Sequence, residues 1–262
     1  MARIYPICSS SRGNATFIGT RGHGVLIDAG CSFRALKNAL DLIDTRIENI
    51  EAIFITHEHI DHIKGLEQIV KQTKIPVFAP PLSVEAMKAD GKLPQDAQLF
   101  DTYDGYKSAS FEVSCFKTSH DTADSVGYKI RYHNEIFAVC TDTGIVTEET
   151  ESALKGVTTV LIESNYDEDM LRKNPNYHAS LKRRIMSDVG HLSNVDCAEF
   201  CETLVRGGTR HLILGHLSQE NNTPATAKNC TKRFLEQRGL VEERDFTLAA
   251  APVMTSGEFV AV

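Results

Sequence analysis

The chain has no long apolar run, no basic excess and no paired-cysteine pattern, and each absence excludes a class of protein. No apolar stretch approaches the ~18 residues that a membrane-spanning helix needs, so no membrane association is expected. The first residues, Met1-Ala2-Arg3-Ile4-Tyr5-Pro6-Ile7, read as a strand and not as a secretory signal with an apolar centre. Seven cysteines form an odd set without disulfide-type spacing, which fits reduced thiols and a cytoplasmic setting. The net charge of −7 argues against a surface that coats nucleic acid broadly. It leaves room for a nucleic-acid enzyme, because a metal centre brings its own positive charge to a phosphate. No internal repeat, low-complexity tract or Pro/Gly/Ser-rich linker marks a boundary, so residues 1–262 are expected to form a single domain. No feature specifies an oligomeric state.

What is present is ordinary in bulk. A hydrophobic fraction of 42% against 24% charged, over 262 residues, suffices for a sizeable core. Apolar runs and turn signals predict strands at 2–8, 15–19, 24–28, 52–56 and 76–79, with helices at 32–43, 64–73 and 82–90. Residues 96–140 read as mostly extended, with runs at 110–117, 125–132 and 135–140 and a hairpin turn at His133-Asn134. The second half alternates: helix 147–154, strand 158–163, helices 167–172 and 179–187, a helix over 195–206 and strand 211–214. Ser193-Asn194 opens the helix over 195–206, and Gly207-Gly208 closes it. Thr223-Pro224 begins a helix through 237, and strands at 245–250 and 257–261 close the chain. Two strand-rich halves punctuated by helices suggest two sheets packed face to face with helices outside. Cys197 and Cys201, four apart in a helical pattern, read as buried helix cysteines or as a ligand pair. Basic residues cluster at Lys182-Arg183-Arg184, at Arg206 with Arg210, and at Lys228 with Lys232-Arg233. Each cluster reads as a solvated helix face or as a phosphate contact.

The densest chemistry lies in His57-Glu58-His59-Ile60-Asp61-His62, directly after the apolar run Ala52-Ile53-Phe54-Ile55. A strand that ends in a tight loop can turn several side chains toward one point. Imidazole nitrogens with a carboxylate oxygen suit zinc, manganese or iron. A pair of ions about 3.5–4 Å apart would need roughly this density of ligands. The competing reading is a polar loop with surface histidines, and three histidines of ten in one hexapeptide speak against it.

Thr56-His57-Glu58-His59-Ile60-Asp61-His62 resembles the HxHxDH signature of the metallo-β-lactamase superfamily. Four further stretches resemble the other superfamily motifs, in order: Val25-Leu26-Ile27-Asp28-Ala29-Gly30, Thr118-Ser119-His120-Asp121, Cys140-Thr141-Asp142-Thr143-Gly144 and Leu212-Ile213-Leu214-Gly215-His216-Leu217-Ser218. The resemblance implies an α+β fold, the αββα four-layer sandwich, with metals in a cleft at one sheet edge. It implies that His57, His59 and His120 hold one divalent ion, and that Asp61, His62 and His216 hold a second. Asp142 would bridge them, and Asp28 would lie beneath and orient the ligand loop. The ions would be zinc or manganese, with iron also compatible with N/O ligation. Two such ions can hold a hydroxide between them, which Asp61 would help to orient.

Further stretches narrow the resemblance. Cys8-Ser9-Ser10-Ser11-Arg12-Gly13-Asn14, Glu163-Ser164-Asn165-Tyr166-Asp167, Gly190-His191-Leu192-Ser193-Asn194 and His216-Leu217-Ser218-Gln219-Glu220-Asn221-Asn222 resemble the YycJ/WalJ-type family, associated with 5′–3′ exonuclease activity on DNA. That family often begins its first pattern with Gly where this chain has Cys8 or Ser9. The resemblance implies a hydrolase: a dimetal phosphodiesterase with nucleic acid, DNA above all, as its partner. His191 is the candidate catalytic group that is not a metal ligand, placed to contact the scissile phosphate or protonate the leaving oxygen. The alternative is a histidine bonded to its own helix cap. Ser10, Asn14, Ser193, Asn194, Ser218 and Asn222 are candidate substrate contacts, through backbone anion nests and a helix N-terminus. Ser218, Asn221 and Asn222 could equally brace His216, and the 9–14 segment could be an ordinary tight turn. The rival functions are RNA processing, small cyclic-phosphate hydrolysis, a thioesterase of the glyoxalase II type, and a metal-holding binding protein.

Overall fold

The computed structural model describes residues 2–255. One sheet holds β1 (Arg3–Ser10), β2 (Gly13–Gly19), β3 (Gly24–Ile27), β4 (Ile50–Phe54), β5 (Val77–Ala79) and β6 (Leu99–Asp101), side by side in chain order. The other holds β7 (Tyr106–Lys107), β8 (Phe111–Lys117), β9 (Val126–Tyr132), β10 (Glu135–Cys140), β11 (Thr159–Glu163), β12 (His211–Gly215) and β13 (Thr247–Ala250), again in chain order. Each sheet begins with antiparallel meanders and ends in parallel strands. The helices are α1 (Phe33–Asp41), α2 (Ile60–Ile63), α3 (Leu66–Thr73), α4 (Pro81–Ala89), α5 (Glu148–Leu154), α6 (Glu168–Lys173), α7 (Ala179–Ile185), α8 (Asn194–Arg206) and α9 (Pro224–Glu236).

The two-residue period of the strands produces the layers. In β3, Val25 and Ile27 face the second sheet, whereas Leu26 packs with Leu36, Leu40 and Ile69 from the outer helices. In β10, Phe137 and Val139 enter the space between the sheets, whereas Ala138 and Cys140 pack outward with Phe200 and Leu204 of α8. Leu161 and Ile213 repeat the inward pattern, and Val160, Ile162, Leu212 and Leu214 the outward one. Three apolar layers therefore separate helix, sheet, sheet and helix, as the resemblance implies. Each fully buried Leu, Ile or Phe in them contributes about 1.5–3 kcal/mol. The outer helices start where hydroxyl or carboxylate caps accept their first amides: Ser32, Thr147, Asp167, Ser193 and Thr223.

Some expectations need correction. The helix expected over 64–73 is α3, which starts two residues later at Leu66; a separate short helix, α2, precedes it in the ligand loop, and the chain turns between them at Gly65. A Cβ there would stand 1.9 Å from the Cys31 carbonyl oxygen. The extended region 96–140 also contains β6 and β7, too short to register as a period. The turn at His133-Asn134 forms, with His133 at φ 52° and Tyr132 paired with Glu135. Thr247–Ala250 forms the first closing strand, whereas 257–261 lie outside the described residues. Cys197 and Cys201 sit buried in the outer core with Sγ atoms 4.0 Å apart. No helix among the described residues is long and apolar enough to cross a membrane.

Candidate metal centre

Strand direction gathers the site. β1, β3 and β4 point the same way in one sheet, as do β8, β10, β11 and β12 in the other. Their C-terminal ends deliver, in turn, the 9–14 hairpin, Asp28, His57–His62, His120, Asp142, Glu163 and His216. Three of these residues take left-handed backbone conformations at the point where the strand stops: Asp28 (φ 61°), Asp142 (φ 57°) and His216 (φ 52°). A non-glycine residue at positive φ turns its side chain sharply off the strand, and such positions concentrate at functional sites.

The imidazoles are oriented through Nδ1. His62 Nδ1 donates to Asp28 Oδ2 at 2.8 Å, His120 Nδ1 to the Gly190 carbonyl at 3.0 Å, and His216 Nδ1 to Glu163 Oε1 at 2.7 Å. The Thr56 hydroxyl donates to Asp28 and accepts from His57 Nδ1 at 3.0 Å. With Nδ1 committed to these partners, Nε2 is the nitrogen of each ring left to bind a cation. The Nε2 atoms of His57, His120 and His216, and Asp142 Oδ2, are buried with no hydrogen-bond partner. Orphaned buried polar atoms are rare, and four on neighbouring candidate ligands fit ligand atoms directed at cations.

Within each of the groups His57/His59/His120, His57/His62/Asp142, Asp61/His62/His216 and Asp142/Glu163/His191/His216, the donor atoms lie within 4.8 Å of one another. Nitrogen and carboxylate oxygen in this proportion fit a divalent cation such as zinc or manganese. Asp142 touches both halves, with Oδ2 3.3 Å from His62 Nε2 and Oδ1 3.7 Å from His120 Nε2.

The electrostatics are coupled. Burial opposes ionisation of Asp142, yet the imidazoles of His216 and His62 outweigh it and hold the carboxyl well below its usual range. Burial likewise opposes a proton on His62 and on His216, but the carboxylates around them hold both well above the ordinary imidazole value. His57 goes the other way, driven well down by burial and then by His62. Burial pushes Asp28 up, partly offset by His62 and Thr56.

His191 joins the site without a place in the three-histidine group. Its Nδ1 donates to Glu163 Oε1 at 2.8 Å, and its ring centroid is 5.0 Å from that of His120 and 5.3 Å from that of His216. Its side chain is 17% exposed, against 2% for His216. It is therefore bonded to Glu163, not to its own helix cap, which Ser193 supplies through Asp196 N.

Glu163 is the residue sequence reasoning passed over. Fully buried, it accepts from both His191 and His216 and from the amides of Thr143 and Leu192. Burial opposes its ionisation, but His191 and His216 outweigh that and lower its pKa. Its signal was available: like Asp28 and Asp142, it is a carboxylate closing an otherwise apolar strand. Asn165 and Ser9 were missed as well. Asn165 Nδ2 donates to the His216 carbonyl at 2.8 Å, and Ser9 Oγ accepts from His216 N at 2.7 Å.

The residues expected to contact substrate lie mostly inside the protein. Asn194 and Asn222 bond each other through both amides, and Asn222 also donates to the carbonyls of Ser164 and Asn165. Ser193 caps α8 through Asp196 N, and the Asn194 amide donates to the Tyr166 carbonyl at 2.9 Å. Ser218 Oγ accepts from Asn221 N. These loops consume their own polar groups, so the side chains brace the segments that carry His191 and His216. Ser10 is buried and exchanges bonds with the Asn14 carboxamide, whose Nδ2 reaches Asp61 and His62. Each basic cluster has one ion-paired member: Arg184 pairs with Asp121, Arg206 with Glu202, and Lys232 with Glu242.

The Beta-lactamase superfamily domain family matches residues 23–217. A Bacillus anthracis protein named exodeoxyribonuclease YycJ is 36% identical over 235 residues, 89% of each chain. A Streptococcus pneumoniae protein named exodeoxyribonuclease WalJ is 32% identical, over 92% of this chain and 90% of its own. The crystal structure of the Bacillus subtilis metallo-β-lactamase-fold protein YhfI superposes with a TM-score of 0.71 at 13% identity, covering 97% of this chain and 98% of that one.

Proposed function

The chain belongs to the β-lactamase superfamily, and from that premise we propose that it is a dimetal phosphodiesterase acting on DNA, an exonuclease that degrades from the 5′ end. The observation that carries the reading is the set of four partnerless buried atoms, on His57, His120, His216 and Asp142, around which the remaining ligands converge. Near-complete coverage of two relatives named as exodeoxyribonucleases supports the substrate class. His57, His59 and His120 would hold one cation and Asp61, His62 and His216 the other, with Asp142 between them. Bound there, two divalent ions supply Lewis acidity to the phosphate and lower the pKa of water to near neutrality.

The chain's own groups do the rest. Glu163 holds the Nδ1–H of His191, so His191 acts as the acid in its doubly protonated form, passing the Nε2 proton to the departing oxygen and remaining as the neutral ring bonded to Glu163. The same carboxylate oxygen orients His216, so acid and ligand are set by one buried group. Asp28 and Thr56 fix the rings of His57 and His62 from below. Seven free thiols support a cytoplasmic setting.

The test is cleavage of one DNA duplex, labelled at a 5′ or a 3′ end, by manganese- or zinc-loaded protein. Single-stranded RNA and a cyclic nucleotide run alongside, with Asp142→Ala as the blank. The expected result is early release of the 5′ label while the 3′ label persists in long fragments, absent in the variant. Turnover of RNA or of the small diester without DNA cleavage would refute the DNA reading and keep the hydrolase.

A further inference from the structure

We propose that Asn14 is a positioning residue for the metal site formed by Asp61, His62 and His216, holding the Asp61 carboxylate in place for the cation. The inference rests on the dimetal reading above. Asn14 lies at the start of β2 and is 5% exposed. Its carboxamide is fixed by Ser10 at two points: the Ser10 amide donates to Oδ1 at 3.2 Å, and Nδ2 donates to the Ser10 carbonyl at 3.0 Å. That double contact decides which end of the amide is which, since the flipped group would set donor on donor and acceptor on acceptor.

One Nδ2 hydrogen remains. It faces Asp61 Oδ2 at 3.2 Å and His62 Nε2 at 3.1 Å. His62 Nδ1 is committed to Asp28, so Nε2 is its ligand atom. Once Nε2 gives its lone pair to a cation it can accept nothing from Asn14, and the hydrogen belongs to Asp61. A bond to Oδ2 fixes the carboxylate's rotation and so the aim of its lone pairs. Ligating carboxylates held in this way bind more tightly than free ones.

Asn14 approaches the Asp61 carboxylate more closely than the neighbouring rings do, at 3.2 Å against 3.5 Å for His62 Nε2 and 3.7 Å for His216 Nε2. The Asp61 backbone is pressed against Gly30, where a Cβ would stand 1.7 Å from the Asp61 carbonyl oxygen and 2.5 Å from the Asn14 amide nitrogen. Gly30 N donates to the Asn14 carbonyl at 2.7 Å, and Ser10 bridges to Leu217, next to His216. Hairpin, Asp61 and His216 thus form one block, and the Asn14 amide is the piece of it that reaches the carboxylate.

The test is a titration of the full-length, metal-free protein with Mn²⁺ alone, without substrate, on wild type, Asn14→Ala and Asn14→Leu. Calorimetry gives the two affinities, bound metal is counted after gel filtration, and thermal unfolding reports the fold. Leu keeps the volume and removes the donor. The expected result is an unchanged first step and a second step weakened about 10–100-fold in both variants. Equal weakening of both steps, or a lowered melting temperature with the second step unchanged, would overturn the inference. If wild type binds fewer than two ions, the dimetal reading fails and the role of Asn14 falls with it. If wild type binds two and the variants lose one, the role of Asn14 stands whether or not DNA is cleaved.

Discussion

Asp142 does at one residue what the whole site does with many. Its left-handed backbone costs of order 1–3 kcal/mol for a non-glycine residue, and it buys a carboxylate turned off β10 into the centre. Around it, His62 and His216 are held well above the ordinary imidazole value in the metal-free chain. A cation arriving at their Nε2 atoms must therefore displace protons. The sign follows: metal uptake releases protons, and apparent affinity rises with pH from below neutrality up through the raised imidazole values. Calorimetric titration in buffers of differing ionisation enthalpy should show proton release at pH 7, and no release would contradict the assignment. For His191 the expectation is different, because Glu163 orients it without making it one of the proposed ligands. His191→Gln should lower kcat by about 10²–10⁴-fold while both ions remain bound. Loss of a metal in that variant would make His191 a ligand instead.

Among elements, the C-terminal strand edges carry the site, and the loops leaving them are packed backbone against backbone. Gly30 shows how tightly, since its missing Cβ makes room for the Asp61 carbonyl. Gly30→Ala should destabilise the protein by about 1–3 kcal/mol through overpacking, read as a lower urea midpoint at unchanged slope. An unshifted midpoint would mean that the Asp61 loop gives way freely, against the block described here. This scale also explains what was legible in advance. β3, β4, β10 and β12 announced themselves as apolar runs closed by Asp or His, because strand period and ligand chemistry coincide there. Glu163 ends β11 in the same manner but falls outside the histidine-rich motifs, so its two imidazole partners emerged only when β11 and β12 came to lie in register. Asn194 and Asn222 misled for the converse reason. Polar residues beside a site look like substrate contacts in sequence, and burial decides that they bond each other.

In the whole molecule, seven proposed ligands spread from residue 57 to residue 216 meet because two sheets, each laid down in chain order, place like-directed strand ends at one edge. The four layers need strands that are apolar on both faces, which the sequence displays as the continuous runs of β3, β10, β11 and β12, whereas the sandwich itself is what the resemblance implies. The closure of the two edges onto each other rests on long-range packing that no local period encodes. The central claim is that this edge holds two cations with Asp142 between them. Anomalous diffraction at the manganese edge, from crystals grown with Mn²⁺, tests it most directly. The account expects two peaks, one among His57, His59 and His120 and one among Asp61, His62 and His216. A single peak, or a second one away from Asp61, His62 and His216, would contradict it.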